Sequence, residues 1–337
     1  MRYLITGHTG FKGAWLSLIL ISRGHEVSGL SIDADRGSLY EICNLREKLT
    51  HDLRVDIRDA EQLHQAIESI RPDVVIHLAA QSLVRRSYDQ PVLTFDTNVK
   101  GTLNLLDSLT RLGGIKACLV ITTDKVYKNV GQKHGYIESD PLGGDDPYSA
   151  SKAMADILCQ SWAKSFDGLP IAVARAGNVI GGGDVCQDRL IPDAVWAFKQ
   201  EIPLELRYPT AVRPWQHVMD CLNGYLLLLD AMVTKQTRGE WNFGPGEESF
   251  VPVGEVVKIA QKLWPTETQV SHAQGHFLHE AEILALDSSK AQQELNWQNK
   301  LHFPESLNWT FEWELRVKNG ENPETVTLEQ IQSFGMI

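Results

Sequence analysis

Tyr148 and Lys152 form Tyr-x-x-x-Lys in a stretch that opens at Pro147. On a helix that spacing puts both side chains on one face. A nearby ammonium favours phenolate, lowering the tyrosine pKa from its usual ~10. Such a phenol can take the proton of a sugar or alcohol hydroxyl while hydride leaves its carbon for nicotinamide. The lysine can also hold the nicotinamide ribose. The pair is common by chance, and its weight comes from Gly7-His8-Thr9-Gly10-Phe11-Lys12-Gly13, between a strand pattern and a helix pattern. Glycines there let backbone N–H groups and a helix N-terminus approach a pyrophosphate. Asp33, ~20 residues on, is placed to accept hydrogen bonds from the adenosine ribose, which favours NAD over NADP; Arg36 nearby tempers that preference. Asp56 and Ile57 follow the third strand and suit adenine contact, although Asp56 equally suits a turn entering a helix.

The elements that must position these groups alternate. Strands are expected at Arg2–Thr6, Glu26–Ile32, Asp73–Leu78, Lys116–Thr122 and Ile171–Ala176. Helices are expected at Phe11–Arg23, at Asp59–Ile70, from Pro91 and from Pro147, proline being favourable in a first turn. The Pro91 helix has an apolar stripe of Val92, Phe95, Val99, Leu103 and Leu106. The Pro147 helix groups Met154, Ile157, Leu158 and Trp162 on one face. Alternation of this kind means βαβ units and a parallel sheet covered on both faces. After residue 177 the pattern loosens. Helices are expected near Pro192–Gln200, Val218–Met232, Val253–Leu263, Ser288–Leu295 and Phe303–Trp313. Trp241–Pro245 reads as strand and turn packing, and the polar stretch from Lys318 as peripheral. The fold class expected is α/β, a doubly wound parallel sheet of Rossmann type with a smaller mixed C-terminal substrate lobe. Residues 1–176, with returns near 212–244, would bind the dinucleotide. Residues 177–211 and 245–320 would form the substrate lobe, and 321–337 a tail.

The 337 residues carry a net charge of −11, which opposes an electrostatic grip on nucleic acid or anionic lipid. Any anionic ligand must therefore be held by a few local cations. No apolar run approaches the ~20 residues of a membrane span. The N-terminus does not read as a signal peptide, so a cytoplasmic chain is expected. Five widely spaced cysteines without C-x-x-C indicate neither a disulfide framework nor a zinc site.

The three glycines, Thr123 and Tyr148-x-x-x-Lys152 together resemble the extended short-chain dehydrogenase/reductases acting on nucleotide sugars, over nearly the whole chain. Five segments narrow the likeness: Gly7–Gly13, His77–Arg85, Arg175–Asp184, Asp188–Asp193 and Arg213–Val218. They are similar to the CDP-glucose 4,6-dehydratase branch. Residues 129–136 depart from it, since that branch usually carries a tryptophan-rich segment there. The resemblance implies NAD as cofactor, with Leu78, Ala79 and Ala80 beside it.

Thr122-Thr123-Asp124-Lys125 bears on the reaction. Epimerases of this superfamily typically have small, inert residues in the two positions after the catalytic Ser or Thr. A dehydratase needs proton-transfer groups there, because C4 oxidation acidifies the C5 hydrogen, the C6 hydroxyl must leave as water, and the hydride returns to C6. Asp124 suits the acid at C6 if its pKa is raised. Lys125 is either the C5 base, if desolvation lowers its pKa, or an electrostatic stabiliser of the enolate. Arg189 and Arg213 are the best diphosphate ligands, because a planar guanidinium grips phosphate in bidentate fashion. The likeness adds substrate contacts around Asn178, Leu190 and Arg213. Gln81, Ser82 and Arg86 are candidates for the sugar pocket, and His217 for either a substrate contact or a helix cap. A homodimer through a four-helix interface is expected. The competing readings are a nucleotide-sugar 4-epimerase and a non-catalytic dinucleotide sensor.

Overall fold

The computed structural model describes residues 1–132, 134–273 and 284–337. In chain order the first half runs β1 (Arg2–Thr6), α1 (Phe11–Ser22), β2 (Glu26–Ser31), α2 (Leu39–Ile42), β3 (His51–Arg54), α3 (Ala60–Ile70) and β4 (Val74–His77). It continues through α4 (Val84–Asp89), α5 (Pro91–Phe95), α6 (Gly101–Leu112), β5 (Ala117–Ile121), α7 (Pro147–Ser165) and β6 (Ile171–Arg175). The second half contains β7 (Val179–Ile180), α8 (Leu190–Gln200), β8 (Leu204–Leu206), β9 (Val212–Pro214), β10 (Gln216–His217), α9 (Val218–Lys235) and β11 (Gly239–Asn242). Then follow β12 (Phe250–Pro252), α10 (Val253–Leu263), β13 (Val270–His272), α11 (Ser289–Leu295), α12 (Glu305–Lys318) and α13 (Pro323–Phe334).

Seven strands form one parallel sheet in the order β11-β6-β5-β4-β1-β2-β3. The order reverses after β1, and β1 and β4 end beside each other at the point where an open α/β sheet leaves a crevice. The strands are continuous apolar runs because helices cover both faces. On one side Trp15, Leu18 and Ile19 of α1 pack with Leu222, Tyr225 and Leu229 of α9. On the other, Leu63 and Ile67 of α3 pack with Leu105 and Leu109 of α6. Trp241 and Phe243 close the sheet end as fully buried side chains. The smaller lobe has its own core of Ile191, Phe198, Trp215, Val256 and Phe311.

The two apolar stripes read from the sequence are split, with Leu106, Leu158 and Trp162 packed against the core and the rest facing outward in part. Met154 and Ile157 of α7 are 48% and 51% exposed, while Tyr148, Ser151, Lys152, Ala155, Asp156 and Cys159 point inward. The outward rule for polar residues fails because the buried polar ones all find partners. On the Pro91 segment Val92 is 74% exposed and Leu103 is also exposed. A π turn at Asp96–Lys100 separates α5 from α6 and carries Asn98 inward. The Asn98 side chain accepts from the Gln81 N–H at 2.8 Å and donates to the Gln81 carbonyl at 2.9 Å and to Ser151 at 2.8 Å.

The segment 321–337 is not peripheral. Val326, Ile331, Phe334 and Met336 join the core that includes α1, and the indole of Trp313 donates to Thr327 at 2.9 Å. Most of the polarity read from the sequence lies on the outer face of α13, and its inward polar side chains, Thr327 and Gln330, are hydrogen-bonded.

Candidate active site

The crevice holds a cavity of about 1240 Å³ between the β1–β4–β5 strand ends and the smaller lobe. Its sheet side is lined by Gly7, Gly10, Phe11 and Gly13, with Asp33, Asp56 and Ile57 further along and Leu78, Ala79 and Ala80 opposite. Gly7 has φ +75°, and a Cβ there would sit 2.7 Å from the Ala79 nitrogen. A Cβ on Gly13 would overlap the Gly7 carbonyl. Only glycine lets this turn fold back under the start of α1, and the resulting hollow of backbone N–H groups fits a dinucleotide pyrophosphate. The turn is pinned through His8, whose Nε2 lies 2.6 Å from Asp52 Oδ1. Arg54 pairs with the same Asp52 oxygen at 2.8 Å and reaches Asp33 at 3.5 Å. Asp33 is therefore at the rim with its carboxylate exposed. Asp56 is gripped by Arg58, which fixes the bend from β3 towards α3. Arg36 does not line the cavity among the described residues.

Thr123, Asp124, Lys125, Tyr148 and Lys152 meet in the middle of the cavity. A single 3-10 turn at Asp124–Val126 follows β5 and turns both charged side chains towards α7. Thr123 shares a hydrogen bond with the Tyr148 phenol and donates to Asp124 Oδ1 at 2.7 Å. Lys125 Nζ lies 3.1 Å from that carboxylate, and Asn178 donates to its other oxygen at 3.4 Å. Phenol, hydroxyl, carboxylate and ammonium thus form one connected polar chain.

The electrostatics bear on two expectations. Burial pushes the Tyr148 phenol above its ordinary pKa, and the cations opposing that rise are Lys125 first and then Arg189, rather than Lys152. Burial works against the Lys125 ammonium, but Asp124 and Tyr148 outweigh it and hold its pKa above the ordinary value. The lowered pKa that a free lysine base at C5 would need is absent. Lys152 falls to about 8, through burial first and then the neighbouring Lys12 ammonium, and donates to the Ile121 carbonyl at 2.8 Å.

The remaining candidates divide. Ser82, Asn178, Arg189, Leu190, Arg213 and Arg86 all line the cavity. Arg189 precedes α8 and is held at 3.1 Å by both Asp184 and Ser82. Arg213 lies on β9 and donates to the Val212 carbonyl at 3.0 Å. Gln81 also lines the cavity, yet its amide is engaged by Leu83 and Thr94, so it shapes the loop. His217 does not reach the cavity. It is wholly buried near Trp15 and Trp309, accepts from the Met219 N–H at 3.3 Å, and caps α9. Burial lowers its pKa to about 3, so it serves as a neutral cap. In the departing segment 129–136, Asn129 lines the cavity and Tyr136 stacks on Tyr127, while Lys133 lies outside the described residues.

Sequence reasoning missed three groups. Lys12 lines the cavity and donates to the Tyr225 hydroxyl at 3.3 Å; a lysine inside the glycine turn was the available signal. Asp156 lies one turn beyond Lys152, and Arg175 grips both its oxygens at 2.8 Å. The same guanidinium donates to Tyr127 at 2.8 Å and to the Glu138 carbonyl at 3.0 Å. Gly177 is the third, because a methyl there would overlap the Asp124 carboxylate. Gly177→Ala is expected to displace Asp124 and lower kcat by ~10-fold or more with dinucleotide affinity kept. Steady-state kinetics beside a cofactor titration checks this, and unchanged kcat would show that the carboxylate position is not critical.

The fold and this geometry match known proteins along their length. Residues 4–310 match the family model described as GDP-mannose 4,6 dehydratase. The chain is 39% identical over 344 residues to a CDP-glucose 4,6-dehydratase of Salmonella typhimurium, covering 99% of this chain and 96% of that protein. A crystal structure of dTDP-glucose 4,6-dehydratase from Bacillus anthracis in complex with NAD superposes with a TM-score of 0.80 at 25% identity, covering 97% and 99% of the two chains. UDP-glucose 4-epimerase of Thermus thermophilus, in complex with NAD, gives 0.76 at 27% identity, covering 93% and 98%. The match across nearly all of β1 to α12 settles the lineage, and the chain belongs to the GDP-mannose 4,6 dehydratase family.

Proposed function

We propose that this chain is an NAD-dependent nucleotide-sugar 4,6-dehydratase, a hydro-lyase that converts a CDP-glucose-like substrate to its 4-keto-6-deoxy derivative. The observation that carries the reading is the Asp124–Lys125 pair, its carboxylate buried and its ammonium half-buried, joined through Thr123 to Tyr148. An epimerase needs the phenol but has no use for a carboxylate and an ammonium directly after its threonine.

Tyr148 takes the proton of the C4 hydroxyl, with the Lys125 charge favouring its phenolate. Gly7, Gly10, Phe11 and Gly13 hold the pyrophosphate of NAD, Asp33 its adenosine ribose, Lys152 its nicotinamide ribose, and Asp56, Ile57 and Leu78–Ala80 flank it. When bound, the dinucleotide supplies a two-electron acceptor for C4 that returns the same electrons to C6. The C4 ketone acidifies the C5 hydrogen. Its proton passes to the Asp124–Lys125 pair and from Asp124 to the departing C6 hydroxyl, which leaves as water. When C6 has regained the electrons, C5 takes back a proton, the one Tyr148 received from the C4 hydroxyl, relayed through Thr123 and Asp124, so phenol and pair end the turnover as they began. Lys125, held as an ammonium, stabilises the negative charge on the enolate oxygen. Arg189 and Arg213 grip the diphosphate, with Ser82, Asn178 and Leu190 around the sugar.

Mass spectrometry of products from a panel of nucleoside-diphosphate hexoses tests the reading. Loss of one water with a 4-keto product is expected. A stereoisomer of unchanged mass would instead make the chain an epimerase, and no turnover of any sugar would make it a sensor.

Val92, Leu103, Met154 and Ile157, all outward-facing, are proposed to pair with a second copy in a four-helix interface. Sedimentation is expected to give twice the chain mass of 37.7 kDa; a monomer at micromolar concentration would remove this interface. No described helix is long and apolar enough to cross a membrane. Cytoplasmic residence is proposed because both the cofactor and charged nucleotide sugars are available there.

A further inference from the structure

The dehydratase reading leaves open what distinguishes one nucleobase from another. We propose that Asp193 reads the base, its carboxylate accepting a hydrogen bond from the exocyclic amine of cytosine and disfavouring bases that carry a carbonyl at that edge. This rests on the reading above, which makes the ligand a nucleoside-diphosphate hexose.

The argument begins from the linear shape of such a ligand. Tyr148 and Asp124 fix its hexose end. Arg189, just before α8, and Arg213, on β9, are the cations placed to hold the diphosphate beyond it. The nucleoside must then extend along the lobe side of the same cavity, between the first turn of α8 and the end of β8. There the wall is formed by Leu206, Tyr208 and Ala211.

Three carboxylates line this end, Asp188, Asp193 and Glu205, and Asp188 is already paired with Arg85 at 2.5 Å. Glu205 is exposed on the outer face of β8, between two buried leucines. Asp193 is half-buried, on a turn whose neighbours Ile191, Ala194 and Val195 pack into the lobe core. The backbone N–H of Asp188 donates to it, and an ionised carboxylate has further lone pairs to offer. The charged groups facing it are Asp188, Arg207 and Arg85. Burial, then the Asp188 charge, raises its pKa to about 6, so above neutrality it remains an acceptor without a proton.

Cytosine offers a 4-amino donor to such an acceptor. Uracil and thymine offer O4, and two acceptors facing each other leave a desolvated polar group unpaired, which is the strongest basis for rejection that a binding site has. An asparagine of the same shape can turn its NH₂ towards O4. Asp193→Asn therefore alters the preference rather than merely weakening the site.

The test is calorimetric titration of the full-length protein with CDP, UDP, dTDP and GDP, beside dehydration kinetics with the matching glucose nucleotides. In the wild type CDP is expected to bind at least 10-fold more tightly than UDP or dTDP. In Asp193→Asn the CDP-to-UDP ratio is expected to fall at least 10-fold, with the same shift in kcat/KM and with NAD affinity retained. An unmoved ratio in a folded variant overturns the proposal. So does a wild type that binds CDP and UDP alike, or one that prefers GDP, and both hold whether or not the variant folds. Binding is read without turnover, so absence of a dehydrated product from every sugar would count against the enzyme reading alone.

Discussion

Tyr148→Phe is expected to lower kcat by ~100-fold or more, the size of effect typical of removing a positioned proton-transfer group. The substitution keeps the ring and removes one hydroxyl, whose partners are Thr123 and, through its charge, Lys125. Thr123 still donates to Asp124 at 2.7 Å, and Lys125 still pairs with the same carboxylate, so little else should move. Affinity for NAD and the thermal midpoint are expected to stay close to wild type. Rapid-quench product analysis should find the sugar unoxidised. Near-normal turnover would remove Tyr148 from the proton path and with it the basis of the proposed chemistry.

The second large effect concerns stability. Arg175 and Asp156 are both wholly buried, joined by two 2.8 Å bonds, and Asp156 also takes hydrogen bonds from Thr122 and Gln160. Arg175→Met leaves a carboxylate in the interior without its cation, which typically costs ~3–5 kcal/mol. Urea unfolding should show that loss as a lower midpoint with an unchanged slope. The double variant Arg175→Met with Asp156→Leu is expected to recover part of it, because replacing a whole buried pair by apolar groups is far less damaging than breaking one. A single-variant loss below ~1 kcal/mol would mean that the pair is solvated in a way the buried geometry does not allow. Activity should fall too, since Asp156 anchors the helix that carries Tyr148 and Lys152.

Much of this site was legible in the sequence, for a local reason. The turn Gly7–Gly13 and the spacing of Tyr148 and Lys152 are short-range patterns, and the chemistry of a βα turn or of one helix face is written within a few residues. The faces of α7 and of the turn between α5 and α6 were legible only in part. Leu105, Leu106 and Leu109 of α6 do face the core, but polar Asn98, Ser151, Lys152 and Asp156 also lie inward because each meets partners far away in the chain. Asp156 and Arg175 are 19 residues apart, so only the adjacency of α7 and β6 reveals them as a pair. The same holds for Gly177 against Asp124, 53 positions earlier and in contact across neighbouring strand ends. His217 shows the converse. Its place in a family-like segment pointed to the substrate, while the local signal, a side chain two residues before a helical N–H, pointed correctly to a cap.

The packing of α13 bears on how the molecule is made. Residues Val326 to Met336 complete the hydrophobic layer over α1, and the Arg23 guanidinium reaches the Met336 carbonyl at 2.8 Å. A nascent chain on the ribosome can pair its early strands, but the first helix of the cofactor fold stays uncovered on one flank until residues 326–336 have been synthesised. Dinucleotide capture and release from chaperones should accordingly wait for α13, and a stop codon shortly before Pro323 should yield an aggregating product.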